Sequence, residues 1–171
     1  MKNILLHIAL FSLIFLYSCR EDVNISPSGE LTRIPVIDVI IDHYDYLSLL
    51  ENKLINYEVP CKIIYKERII FGRIRAAGAG SRYLEKWSYT VELEDGEVLE
   101  GLSKFNLNCQ TYDPTMMRTH LALFSYRTAG VHDFMAKHIF MRLNGRDHGL
   151  YLLIERINER YFYRRQVPFW H

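Results

Sequence analysis

The sequence predicts an α+β domain in which one main helix accompanies a mostly antiparallel sheet. Three observations carry that expectation. β-Branched or alternating apolar segments recur from Ile34 to Ile157, separated by Gly, Asn and Asp turns. One longer segment, Asp113 to Gly130, spaces its apolar residues for a helix and carries start and stop signals. Of the 171 residues, 49% are hydrophobic and 24% charged, enough to bury a core and to exclude wholesale disorder.

The first residues do not read as part of that domain. Lys2 precedes Ile4 to Leu16, thirteen residues that are apolar apart from His7 and Ser12. The run is too short to span a bilayer as a helix. A positive start, a short apolar core and a small residue before the cut mark a secretory signal. Leu16-Tyr17-Ser18-Cys19 resembles the bacterial lipobox, in which the cysteine at the new N-terminus is acylated. Residues 1–18 are therefore expected to be a lipoprotein signal peptide, with Cys19 as the lipid attachment site. A plain signal peptide that happens to hold a cysteine is the alternative. Several acyl chains on one cysteine would anchor the chain stably to a membrane. Residues 19–33, with Ser26-Pro27-Ser28-Gly29, read as a polar tether. Arg20-Glu21-Asp22 resembles the acidic tags that send some lipoproteins to the outer surface. The expected location is the bacterial cell envelope, lipid-anchored outside the cytoplasm.

Residues 34–171 are expected to form the domain. Ile34 to Asp42 is a β-branched strand, and Tyr44 to Lys53 a short helix with Tyr46, Leu47 and Leu50 at helical spacing. Val59 to Tyr65 and Arg68 to Ile74 read as strands joined by a tight turn at Lys66-Glu67. Gly78-Ala79-Gly80-Ser81 is a loop. Trp87, Tyr89, Val91 and Leu93 then alternate with polar residues, the mark of a half-buried strand, before a turn at Asp95-Gly96. Asp113 can cap the main helix and Pro114 suits its first turn. Met117, Leu121, Phe124 and Thr128 lie on one face, and Gly130 ends it. His138 to Leu143 and Leu150 to Ile157 form a hairpin about Asn144-Gly145, with Gly149 a candidate bulge. Asn158 begins another helix, and the chain stops soon after, at Pro168-Phe169-Trp170-His171.

Lys+Arg is 21 and Asp+Glu is 20, a formal charge of +1 that falls to zero once Lys2 is removed with the signal. That balance argues against a nucleic-acid partner. Three cysteines do not make a disulfide-dense miniprotein. Cys61 and Cys109 either pair outside the cytoplasm or stay unpaired and buried. The seven histidines show no zinc-ligand spacing, and no Gly-x-Ser-x-Gly elbow supports an esterase.

Three motifs in order carry a family resemblance. Gly78-Ala79-Gly80-Ser81-Arg82, followed by Lys86-Trp87-Ser88-Tyr89, resembles the Arg-Gly-Asn-x-Ser-Arg loop and Lys-Lys-Ser-Tyr strand of the spore-coat protein H (CotH) kinase family. Tyr112-Asp113-Pro114-Thr115-Met116-Met117-Arg118 resembles its Tyr-x-Asp-x-(Ser/Thr)-x-x-Arg helix start. Leu143-Asn144-Gly145 with Gly149, Tyr151 and Glu155 resembles its Leu-Asn-Gly hairpin. The resemblance implies an atypical protein-kinase-like fold, ATP with Mg or Mn as cofactors, and serines of other proteins as acceptors. The chain departs from the pattern at Ala77, Ala79 and Trp87, where the family has Arg, Asn and Lys. The family's metal-binding Asp-x-Asp segment lies well beyond the hairpin, and no Asp-x-Asp occurs in these residues. The domain is therefore expected to be the front part of the family's, truncated and without phosphotransferase activity by itself.

Seven residues are candidate nucleotide contacts. A glycine turn leaves backbone N–H groups that can cradle phosphate at Gly78 and Gly80. Ser81 adds a hydroxyl, and Arg82 can clamp phosphate oxygens. From spacing alone, a glycine turn with solvated charges accounts for the same residues. The resemblance implies that Lys86 reaches a nucleotide phosphate and that Glu155 pairs with it, as the kinase lysine and glutamate do. A solvated edge glutamate is the alternative for Glu155. Arg118 sits in the first turn of a helix, where the macrodipole disfavours a cation, so it has either a ligand or an acid such as Asp113. The sequence identifies no catalytic residue and no metal ligand. Two other function classes stay open: a non-catalytic cell-surface scaffold that binds protein or glycan, and a truncated remnant.

Overall fold

The computed structural model describes residues 34–166. The predicted signal peptide, Cys19, the tether and the aromatic stop at 168–171 lie outside the described residues.

Seven strands form: β1 (Val36–Ile40), β2 (Val59–Tyr65), β3 (Arg68–Ala77), β4 (Ser88–Leu93), β5 (Lys104–Asn108), β6 (Ala136–Leu143) and β7 (Arg146–Glu155). Three short helices accompany them: α1 (His43–Glu51), α2 (Arg118–Thr128) and α3 (Glu159–Arg164). Asn144 and Gly145 take positive φ between β6 and β7, as their residue types favour, and Lys66 and Glu67 take it between β2 and β3 against theirs. A register shift between Met141 and Arg142, opposite Gly149, marks the bulge expected there.

The predicted architecture is corrected. The expected atypical-kinase-like α+β fold with one main helix is instead a closed, mixed β-barrel in the order β1-β2-β3-β4-β5-β7-β6. Six neighbouring pairs are antiparallel and one is parallel: β1 runs beside β6, from Val36 opposite Phe140 to Val39 opposite Leu143. The reason lies in what covers the apolar face. An open sheet needs helices over that face. Here α2 buries only Leu123, while Met117, Leu121 and Phe124, the face expected to pack, are 47%, 60% and 66% exposed. Likewise α1 buries Leu49 and leaves Leu47 and Leu50 outside. With no helix among the described residues laying an apolar face across it, the sheet closes on itself, and closure also removes its free edges.

The interior is filled by alternate residues of every strand. They include Ile37 and Val39, Ile63 and Tyr65, Ile70 and Ile74, Tyr89 and Val91, Phe105 and Leu107, Ile139 and Met141, and Tyr151 and Leu153. The seam between β1 and β6 is tied by polar groups. Asn144 donates its backbone N–H to the Val39 carbonyl at 2.9 Å and accepts the Ile41 N–H on Oδ1 at 2.8 Å. Arg142 Nη2 lies 2.6 Å from Asp38 Oδ2 across the same seam.

The main helix begins later than its sequence signals suggest. Asp113 is not the N-cap: that position falls to Met117, which makes no side-chain capping bond, while the Asp113 carboxylate reaches forward to accept the Arg118 N–H at 2.9 Å and the Thr115 N–H at 3.2 Å. Pro114 to Met117 form turns ahead of the helix. Asn158 caps α3 by accepting the Tyr161 N–H at 3.1 Å.

Candidate functional site at the glycine loop

The loop between β3 and β4 is built by its own residues. Gly78 sits at φ +89°, and a Cβ there would lie 2.3 Å from Ser81 Oγ, so the position admits only glycine. Ser81 Oγ donates to the Ala77 carbonyl at 3.2 Å and fixes the loop from within. A short 3₁₀ turn, Ser81–Tyr83, then leads toward β4. The backbone N–H groups of Ala79 and Gly80 have no hydrogen-bond acceptor among the described residues.

Cavities open on both sides of this loop, and Gly78 and Ala79 line each of them. The smaller, about 310 Å³, is also lined by Gly80, Ser81, Ser88, Cys109, Tyr112 and Arg118. The larger, about 590 Å³, lies against the outer wall of β3, β4, β5 and β7; Asn56, Arg75, Arg82, Asn106, Phe134 and Arg156 line it. Thr90, on the polar side of β4, is buried at its floor and donates to Asn106 Oδ1 at 2.9 Å.

The structure gathers Gly78, Gly80, Ser81 and Arg118 around the smaller cavity. Arg118 is 72% exposed; its Nη1 donates to the Tyr112 carbonyl at 3.1 Å, and its Nε stands 3.7 Å from Asp113. The acid partner considered from sequence is therefore present, and the exposed guanidinium still borders the cavity. Hydrogen bonds from Thr115, then the Arg118 backbone and charge, hold the Asp113 carboxyl below the usual aspartate range against the opposing effect of burial.

Arg82 faces the larger cavity and is tied to the turn after α1. Its Nη1 donates to the Leu54 and Ile55 carbonyls at 2.9 and 3.2 Å, and its Nη2 to Asn56 Oδ1 at 2.9 Å. Its Nε is buried without a partner.

Lys86 and Glu155 do not meet. Lys86 Nζ donates to the Leu150 carbonyl at 2.7 Å and lies 4.5 Å above the Tyr151 ring. Burial pushes its pKa down. Glu155 stands four positions further along β7, roughly 13 Å at strand rise, on the interior face opposite Phe105. Its carboxylate pairs with Arg165 at 3.0 Å and accepts the Met135 N–H at 3.0 Å. Lys86 lines neither cavity, and Glu155 borders only the larger.

Two residues here were not singled out from sequence, Arg75 and Arg156. Period-two alternation marks Arg75 only as one more charge on the polar side of β3. Arg156 lies just past β7, and only the barrel order brings the two together across β4 and β5. Among the described residues no group of three or more His, Cys, Asp or Glu is placed to hold a metal ion.

Comparison with known proteins fits the motifs that form this loop. The family described as CotH kinase protein matches residues 74–168, more than half of the chain, and that span holds the glycine loop, Lys86, Arg118 and Glu155. The inner spore coat protein H of Bacillus subtilis (strain 168) is 24% identical over 136 residues, covering 80% of this chain. The chain spans 38% of that relative's length. Its ordered motifs, from the glycine loop to the Leu-Asn-Gly hairpin, and the matched span together show that this chain belongs to the CotH kinase protein family.

Proposed function

We propose that these residues form a nucleotide-contacting part of a CotH-family kinase and, by themselves, do not transfer phosphate. The observation that carries this is the smaller cavity, where free Ala79 and Gly80 N–H groups, the Ser81 turn and the exposed Arg118 guanidinium border one space. Backbone N–H groups and an arginine are the donor set that phosphate oxygens need. Tyr112, largely exposed at the rim, offers a ring face to a base. ATP supplies the transferable phosphoryl group when bound; Gly78, Gly80, Ser81 and Arg118 would hold it. The described residues place no group of three or more His, Cys, Asp or Glu for the Mg or Mn that phosphoryl transfer uses.

The chain is read as lipid-anchored through Cys19 outside the cytoplasm, with a protein or a surface glycan as its partner. The lipobox resemblance supports the anchor, and the relative's name places that protein in the inner spore coat. The test is a γ-phosphate transfer assay with the full chain in detergent, on a serine-rich protein with Mg or Mn. No turnover above a protein-free control is expected. Clear turnover would overturn the non-transferring reading.

A further inference from the structure

The larger cavity holds a cation arrangement that the nucleotide reading does not use. Arg75 comes from β3, Arg82 from the 3₁₀ turn and Arg156 from the end of β7, and all three line one cleft of about 590 Å³. Arg75 is only 15% exposed at its side chain. Asn56 Oδ1 accepts from both Arg75 Nη1, at 3.0 Å, and Arg82 Nη2, at 2.9 Å, so one amide oxygen sets two guanidinium planes. One acid, Glu58, reaches Arg75 and leaves Arg82 and Arg156 without an ion pair among the described residues. Glu58 is shared between Arg73 and Arg75, each at 3.5 Å, and Glu155 is paired with Arg165. Arg156 is a half-buried residue whose guanidinium makes no hydrogen bond or ion pair among the described residues. Burial first, then the charge of Arg156 and, more weakly, that of Arg82, push the Arg75 pKa down against the opposing charges of Glu58 and Glu92.

Three like charges held together cost free energy unless an anion joins them. Two further donors have no partner in this cleft. Arg82 Nε is buried and unsatisfied. Asn106 has its Oδ1 occupied by Thr90, which leaves its amide N–H groups to donate. Guanidinium forks and an amide N–H match the tetrahedral oxygens of phosphate better than a planar, singly charged carboxylate, because the charge is higher and acceptors point in more directions.

We infer that the cleft walled by Arg75, Arg82 and Arg156 is a binding site for a phosphate monoester dianion, separate from the glycine-loop cavity. The anion can arrive as free phosphate or on a phosphorylated side chain of another polypeptide, since the cleft opens on the outer wall of the barrel.

The test is a titration of the full chain in detergent, read by the Nε–H resonances of its arginines. The probes are inorganic phosphate, a phosphoserine peptide and the same peptide unphosphorylated. The expected result is that Arg82 and Arg156 signals shift with phosphate and with the phosphoserine peptide, and not with the unphosphorylated one. Phosphoserine peptide binding at least tenfold tighter than phosphate identifies a polypeptide source; equal affinities identify free phosphate. Arg156→Gln should weaken binding at least tenfold without loss of fold, and Arg118→Gln, in the other cavity, should leave it within twofold. Saturating ATP should also leave it within twofold. Absence of any shift, an unchanged affinity in Arg156→Gln, or complete displacement by ATP would overturn the inference. Failure of ATP to bind at all would remove the nucleotide reading and leave this site standing.

Discussion

Arg165 holds Glu155 in a buried ion pair: Nη2 stands 3.0 Å from Oε2, and the glutamate side chain is 2% exposed. The same guanidinium lies 4.1 Å from the Tyr161 ring, so α3 is clasped to the end of β7 by both charge and ring. Removing one partner of a buried pair costs up to about 3 kcal/mol, and Glu155 still accepts the Met135 N–H. Arg165→Ala should therefore lower the unfolding free energy by about 1–3 kcal/mol, measured by urea titration. A loss under about 1 kcal/mol, the value of an exposed pair, would show that water already reaches the carboxylate.

Lys86 belongs to the fold in the same sense. It donates to the Leu150 carbonyl and covers Tyr151, whose hydroxyl donates to the Trp87 carbonyl at 3.0 Å. Lys86→Met removes a hydrogen bond and a cation–π contact, about 1–2 kcal/mol together. Because Lys86 lines neither cavity, the affinity for ATP should stay within twofold of the unsubstituted chain. A tenfold loss of affinity with no loss of stability would instead make Lys86 a ligand.

Glu100 carries the clearest acid sensitivity. Lys66 donates to its carboxylate at 2.8 Å, Lys137 at 3.1 Å, and the Tyr65 hydroxyl also donates to it. Hydrogen bonds from Lys66 and then Tyr65, opposed by burial, lower its pKa to about 2 from about 4.5. A carboxyl depressed on folding stabilises the fold above its unfolded pKa and loses that contribution as pH falls through the folded value. Stability should thus decline between about pH 4.5 and pH 2, and Glu100→Gln should flatten the decline. Parallel acid curves for both proteins would place the sensitivity elsewhere.

The two described cysteines should react very differently. Both are free and buried. Burial pushes the Cys61 thiol up to about 12. Burial also raises Cys109, but hydrogen bonds from Ser88 and Thr111 and the charge of Lys86 outweigh it and leave its pKa lowered. The thiolate is the reactive form, and Cys109 borders the smaller cavity. Iodoacetamide at pH 8 should label Cys109 at least tenfold faster than Cys61, followed by peptide mass spectrometry. Equal rates would mean that local opening, not thiolate fraction, controls access.

Local structure was legible where it depends on neighbours in sequence. The Asn144-Gly145 turn, the strand through Tyr89 to Leu93 and the Asn158 cap appear where their residue types put them, and the Lys66-Glu67 turn stands at its expected place although both residues take positive φ. Closure was not legible. Nothing in the run Val36–Ile40 distinguishes an edge strand from one that pairs in parallel with a strand a hundred residues away. The spacing of Met117, Leu121 and Phe124 resembles a packing face, yet the barrel leaves it in solvent. The candidate site divides the same way. Gly78, Gly80, Ser81 and Arg118 lie in recognisable motifs and share a cavity. Arg75 and Arg156 have no motif, and β5, which separates β4 from β7, was not assigned from sequence at all.

The most direct test of the central claim is a calorimetric titration of the full chain with Mg-ATP, beside Arg118→Ala and Gly78→Ala. Arg118→Ala removes the one guanidinium that the described residues place at the smaller cavity, and Gly78→Ala forces a Cβ against Ser81 Oγ at a positive φ. The account predicts a saturable heat for the unsubstituted chain and at least a tenfold loss of affinity in both variants. No heat at all, or an Arg118→Ala affinity equal to that of the unsubstituted chain, would contradict it.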